Sequence, residues 1–311
     1  MVVWKPNRQL VRTPRNLSVE LSRVLGTLIA ERLPSREARP WRKALAKWEN
    51  HDPAKTKNIT PDISWPIDVV LFAYPGKQFY GQGELIAWEL KLIGNSADHG
   101  HLIELILPAM EEASKTSDPR WHRQNSLWGR FDIDAIYAAR GPQWEPIVRD
   151  GKLDLRYRAT PTQWSEGLSF AANSKHALDR LIWIAPFDLQ PAQEPHASIE
   201  RAAPTLPCIL EALAARINAF VPGKRRAELW DVLTTDDRAA LRDAIEQASQ
   251  FPFIQQSIEP APKGGPGRWV GSQKFYLIPD PLIPYLELAS ILHIGRQTHF
   301  GCGTFILEAS R

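Results

Sequence analysis

The sequence predicts an α+β chain built from two copies of one β-α-β-β-α-β unit. Three observations predict it. Helical and strand-like runs follow each other in the same order in both halves of the chain. Each half ends on a helix followed by a strand. A length of 311 residues, 43% of them apolar, supplies core for one large or two medium domains.

The first unit begins with a strand near the N-terminus. Residues 16–33, NLSVELSRVLGTLIAERL, read as a helix, because Leu17, Leu21, Val24, Leu25, Leu28 and Ile29 recur at helical spacing. Asn16 or Ser18 can cap it, and Pro34 ends it. Two strands follow at residues 67–74, IDVVLFAY, and 83–94, GELIAWELKLIG. In the second, Ile86, Trp88, Leu90 and Leu92 alternate with Ala87, Glu89 and Lys91. The linker PGKQFYGQG is rich in turn residues. HLIELILPAMEEAS is a second helix, and GRFDIDAIYAA a closing strand.

The second unit repeats this order. LDRLIWIAPFDL ends in a strand, TLPCILEALAARINAF is helical, and FPFIQQSIEP and GRWVGSQKFYLI read as two strands. LIPYLELASILHI is a helix and TFILEA the last strand. The pattern is the ferredoxin-like split unit, twice: residues 1–150 and 151–311. One piece is extra. Residues 222–250 read as two helical segments inserted after the first helix of the second unit. Thr235 can cap the later one, with Asp236 and Asp237 in its first turn.

Charge is uneven. The net formal charge is +3, yet residues 1–50 hold eleven Lys/Arg against four Asp/Glu, which makes +7 and leaves −4 for the rest. A basic block on a near-neutral body is the footprint of a polyanion partner. Apolar runs are broken by charge or proline, so no membrane span is expected, and no signal peptide is visible. Two cysteines, Cys208 and Cys302, build neither a disulfide framework nor a structural zinc site, which points to the cytoplasm.

The stretch LHIGRQTHFGCGTFIL, residues 292–307, joins the last helix to the last strand. Gly295, Gly301 and Gly303 can turn backbone N–H groups toward an anion, and Arg296 can add charge. The same glycines equally suit a tight turn that needs close packing. His293 and His299 flank Gly295 without further metal ligands nearby. Core packing is expected for His293 and RNA contact for His299.

The run YLELASILHIGRQTHFGCGTFIL resembles the C-terminal glycine-rich signature of the CRISPR-associated RAMP endoribonucleases that process precursor crRNA. The duplicated layout is similar too, as are NLSVELSRVLGTLIAERL, which resembles the family's first helix, and LWGRFDID, a glycine-bearing turn into a strand. The helical insertion resembles the finger of the type IV branch. The resemblance implies metal-independent cleavage of a CRISPR repeat hairpin by 2′-OH attack, with a 2′,3′-cyclic phosphate product. It also implies continued binding to the mature crRNA within a type IV effector complex, in a groove between the two units. No cofactor or metal is implied.

Many members of that family place a histidine on or after the first helix, where its near-neutral pKa suits acid–base work. Here the first histidine is His51, and the helix and following loop carry Arg23, Arg32, Arg36, Arg39 and Arg42 instead. Arginine is a poor base but a bidentate phosphate ligand. Arg242, Arg23, Arg39 and Arg36 are therefore the catalytic candidates. Arg238 lies four residues from Arg242 on one helical face. Lys224, Arg225 and Arg226 form a turn that either contacts phosphate or is merely solvated. Trp4, Trp41 and Trp48 offer stacking faces among basic residues.

Two rival readings come from other classes. Asp68, Glu89 and Lys91 imitate the PD-(D/E)xK pattern of magnesium nucleases, and Asp132 with Asp134 is a weaker metal pair. A RAMP subunit that holds the crRNA end without cutting it is the other.

Overall fold

The computed structural model describes residues 1–49, 64–121, 125–166, 178–189, 203–220 and 233–309. The described residues gather into two compact units, one from residues up to 168 and one from those beyond.

The first unit runs β1 (Val2–Pro6), β2 (Leu10–Arg12), α1 (Leu17–Arg32), α2 (Ser35–Glu49), β3 (Val69–Ala73), β4 (Phe79–Gly81), β5 (Ile86–Leu92), α3 (Leu107–Lys115), β6 (Phe131–Arg140), β7 (Gln143–Arg149) and β8 (Lys152–Leu153). Its main sheet has the order β3-β5-β1-β6-β7-β8, with every pair antiparallel, and β2 and β4 form a separate ribbon. Strands β3, β5, β1 and β6 carry the ferredoxin-like order. Strands β2, β4, β7 and β8 escape a periodicity reading because they are short or, in β7, interrupted by Pro146. Six residues of π-helix, His101–Ile106, lead into α3. Pro108 lacks the N–H that an α-helix would give to the carbonyl of Glu104, which accounts for wider turns just before it.

Asn16 occupies the N-cap position of α1, and its carbonyl accepts from the N–H of Glu20 at 3.2 Å, but its side chain makes no capping bond. Ser18 is buried instead and accepts from the N–H of Ala73 at 3.1 Å, tying α1 to β3. Tryptophans fill the core between sheet and helices. Trp4 stacks on Phe131 at 4.0 Å and meets Trp88 edge-on at 5.4 Å and Trp128 at 6.1 Å. Edge-to-face and offset pairs of this kind add about 0.5–1.5 kcal/mol each beyond area burial.

The second unit runs β9 (Arg180–Phe187), α4 (Leu206–Ala219), α5 (Thr235–Ser249), β10 (Phe253–Pro260), β11 (Trp269–Phe275), α6 (Ile283–Leu292) and β12 (Phe305–Glu308). Its antiparallel sheet, β10-β11-β9-β12, has the same order as β3-β5-β1-β6 of the first. The expected β-α-β-β-α-β sequence is met element for element. The cap of α5 is Thr234, one residue before the expected Thr235, and its hydroxyl accepts from the N–H of Asp237 at 3.2 Å. Helix α5 lies against α4 and buries Leu241, Ala244 and Ala248. The first part of the expected insertion, with Lys224, Arg225 and Arg226, lies outside the described residues.

Candidate nucleic-acid interface

Residues 35–49 were expected as a loop after Pro34. They form helix α2 instead. Pro34 stops α1, but it precedes Ser35, where a new helix can begin. Ala38, Trp41 and Leu45 recur at helical spacing and face α1. Trp41 meets Trp65 at 5.3 Å, and the Trp65 indole donates to the carbonyl of Ser22 at 3.0 Å. Gly26 is what permits this approach, since a Cβ there would stand 2.9 Å from Trp65 Nε1 and 3.4 Å from Leu45. Docking, not propensity, holds α2, because Pro40 sits inside it at an intrinsic cost of about 3 kcal/mol.

Packing of that apolar face turns Arg36, Arg39, Arg42 and Lys43 to solvent. None of the four makes an ion pair among the described residues, and neither do Arg8, Arg12 and Arg15, whereas three other cations of the basic block do. Lys5 pairs with Asp134 at 2.5 Å, Arg23 with Glu20 at 2.6 Å and Arg32 with Glu112 at 3.2 Å. Arg36 and Arg39, named as loop residues, are thus neighbours on a rigid helical face. Arg42 and Lys43 extend that face, although Lys43 was not singled out. The amphipathic spacing of Ala38, Trp41 and Leu45 was the signal for it, masked by Pro34 and Pro40.

Arg23 lies on the polar stripe of α1, half-buried, with one edge of its guanidinium on Glu20. Five donors on a fixed fork leave N–H groups for a second anion. Trp4 and Trp41, expected as stacking faces, are core residues at 0% and 4% exposure.

The glycine-rich turn is bonded mostly to its own surroundings. The N–H groups of Ile294, Phe300 and Gly301 donate to the carbonyls of Gly303, Gln297 and Thr298, and those of Arg296 and Gly303 donate to Asp188 and Pro186 at the end of β9. Those five donors are taken up by carbonyls of the protein and do not face an anion. A Cβ on Gly303 would lie 1.8 Å from the carbonyl oxygen of Ile294, and one on Gly295 would lie 2.5 Å from that of Asp188. Close packing, the alternative reading, explains Gly295 and Gly303. Gly301 supplies a left-handed turn. His293 is fully buried at φ +57, with Nδ1 within 3.0 Å of the Gly301 carbonyl and 3.2 Å of the Cys302 carbonyl. His299 is 5% exposed and packs edge-on against Phe300, so its ring is turned inward. Arg296 is the polar group of the turn that reaches solvent. Its guanidinium stands 3.7 Å from the buried carboxylate of Asp188, with Arg268 at 3.9 Å from the same group. Arg268 was not anticipated, and its contribution depends on the fold bringing the turn before β11 beside the glycine-rich turn.

Arg242 is exposed on α5, four residues after Arg238, whose Nε donates to the carbonyl of Leu233 at 2.9 Å. On the second sheet a groove of about 820 Å³ is lined by Arg180, Gln255, Ser272, Lys274 and Glu308. Its cations are already engaged: Arg180 donates to Ser272 at 3.4 Å and Lys274 lies 3.7 Å from Asp179.

The magnesium reading fails on geometry. Glu89 pairs with Phe72 across β3 and β5, four residues from Asp68, so the two acids stand about 13 Å apart along the strand. They cannot share an ion that needs ligands at about 2 Å. Glu89 accepts instead from the Tyr74 hydroxyl and lies 3.6 Å from Lys91, whose pKa is lowered by burial. Asp132 and Asp134 are held by Asn7 and Lys5. Among the described residues no cluster of three potential metal ligands occurs.

Residues 177–305 match the family model of the CRISPR-associated endoribonuclease Cas6. This match covers the second unit from β9 to the start of β12. It supports an RNA-cleaving enzyme of CRISPR RNA processing. Among solved structures, a Cas6 product complex is similar with a TM-score of 0.50 at 15% identity, covering 99% of this chain and 98% of that one. A partial Cas6-RT-Cas1–Cas2 complex is similar with a TM-score of 0.53 at 12% identity, covering 99% of this chain and 45% of the other. At these identities the likeness is one of fold, and it extends over both units. No match was found among curated proteins. No described helix is long and apolar enough to cross a membrane.

Proposed function

We propose that this protein is a metal-independent, Cas6-type endoribonuclease. It binds the hairpin of a CRISPR repeat transcript in the cytoplasm and cuts at its base. The observation that carries the proposal is the Cas6 family match across the second unit, within a fold duplicated like that of the Cas6 structures it resembles. The RNA supplies the nucleophile, its own 2′-OH, which attacks the adjacent phosphate and expels the 5′-oxygen. The protein must hold that phosphate for in-line attack and neutralise the charge that develops on it.

Arginine suits the second task. Arg23 on α1 is held by Glu20 while keeping free N–H donors, and Arg242 is exposed on α5. Either is a candidate for the scissile phosphate, and each is tested by itself. Arg238 and Arg296, with Lys224, Arg225 and Arg226, are assigned to flanking phosphates. Slow chemistry without an accessible histidine on α1 fits an enzyme that stays on its product. The inserted helix α5 is the reason for placing it in the type IV branch, as a subunit of that effector complex. The ion pair of Arg23 with Glu20 favours a second reading, a RAMP subunit that holds the crRNA end without cutting it.

The test is incubation with repeat RNA in excess EDTA, beside a copy carrying a single 2′-deoxy nucleotide at the mapped cut. Cleavage of the first and not the second is expected. Arg23→Ala and Arg242→Ala should slow single-turnover cleavage by roughly 10²-fold, in line with loss of one charge-stabilising donor, while binding changes less. Cleavage only with magnesium would overturn the mechanism. Tight binding with no cleavage under either condition would leave the holding subunit.

A further inference from the structure

We infer that the solvent face of α2 is a docking surface for double-stranded RNA, reading the phosphate backbone of a stem. The inference rests on the proposed function for the identity of the RNA, but its geometry is independent of the cleavage site. Arg36, Arg39 and Lys43 lie three and four residues apart, so they share one face, with Arg42 at its margin. At 1.5 Å per residue they reach about 10 Å, the span of about three phosphates of one strand in a duplex. All four side chains are exposed and make no ion pair among the described residues. The charge complement of such a stripe is a regularly spaced polyanion.

Duplex is favoured over single strand by what the face lacks among its described side chains. Surfaces for unpaired strands interleave cations with aromatic rings on which bases stack. The aromatic of the central turn, Trp41, is 4% exposed and packed against Trp65 on the opposite side of the helix. The exposed side chains from Arg36 to Lys43 are then cationic but for Glu37 and Pro40. They contact phosphates and leave the bases to pair with each other. The surface is also rigid, since Ala38, Trp41 and Leu45 lock α2 onto α1, so little order is lost on binding. Arg36 and Arg39 on this reading are affinity residues, not catalytic ones.

The experiment compares the wild-type chain with R36A/R39A/R42A/K43A and with the charge-keeping R36K/R39K/R42K. The probes are a blunt 12-base-pair RNA duplex of arbitrary sequence and one of its strands alone, titrated between low and high salt. The quadruple alanine variant should lose at least 30-fold in duplex affinity at low salt, and its salt slope should fall by about three, near one unit per lost phosphate contact. Single-strand affinity should change by less than about threefold, and the lysine variant should recover most of the duplex binding. Equal loss for duplex and single strand, unchanged duplex affinity, or a wild type that does not bind duplex RNA would each overturn the inference. Cleavage of repeat RNA is scored separately. A wild type that cleaves while the α2 variant binds duplex normally removes this surface and leaves the proposed function standing. A wild type that binds duplex through α2 but never cleaves repeat RNA does the reverse.

Discussion

The glycine-rich turn and helix α2 are both rich in groups that recognise anions, but they employ them in opposite ways. The turn directs five of its N–H groups into backbone bonds, buries His293 and His299, and sets Arg296 beside a buried carboxylate. Helix α2 buries its apolar groups and leaves four cations in water without ion pairs among the described residues. Anion-binding residue types thus say little until packing decides which of their donors remain available. The turn is expected to be sensitive in stability, and α2 sensitive in affinity.

Gly303→Ala should give the largest effect. The added methyl would lie 1.8 Å from a carbonyl oxygen, at a backbone φ of +80. A loss of about 3 kcal/mol or more is expected by thermal or denaturant unfolding. A variant as stable as the wild type would break the contrast. His293→Ala should cost about 2–3 kcal/mol, through a cavity and the loss of the Nδ1 contacts to the Gly301 and Cys302 carbonyls. RNA affinity per folded molecule should stay the same; a selective loss of affinity would return the turn to the binding surface.

Smaller effects sharpen the comparison from the other side. Arg296→Ala should cost about 1 kcal/mol, since Arg268 remains near Asp188. The quadruple α2 variant should unfold within about 0.5 kcal/mol of the wild type, because its side chains touch no core. A large destabilisation would mean that the basic face is structural after all. The least effect concerns His99. Burial first, then the nearby charge of Arg158, hold its pKa below the ordinary 6.5. The folded state binds that proton less readily than the unfolded chain, so stability should fall as pH drops through 6.5 toward the folded value. His99→Gln should flatten that stretch of the stability–pH curve, and an unchanged slope would assign the effect elsewhere.

Much of the fold was legible because periodicity is a local property. The alternation in residues 86–92 and the helical spacing of residues 17–29 mark buried faces without reference to any partner. The order of elements then allows few topologies, and the duplicated β-α-β-β-α-β arrangement follows. Helix α2 was missed for an equally local reason. Pro34 and Pro40 read as breakers, and only Gly26, Trp65 and the side of α1 supply the packing that outweighs them. The site was less legible than the fold. Arg23, Arg36, Arg39, Arg238, Arg242 and Arg296 could be named as cations. Their availability depends on Glu20, Leu233 and Asp188, which lie nearby only after folding or through one particular rotamer.

The sequence by itself determined the alternation of strands and helices, the duplication, and the concentration of positive charge in the first fifty residues. Each depends on neighbours within one or two turns of chain. Tertiary structure alone decided that Asp68 and Glu89 stand too far apart for one ion, and that a Cβ at Gly295 or Gly303 would meet backbone. It alone decided that Arg36, Arg39, Arg42 and Lys43 stand on the outer face of α2. Strand register and helix docking set those distances, and both arise from contacts between residues far apart in the chain.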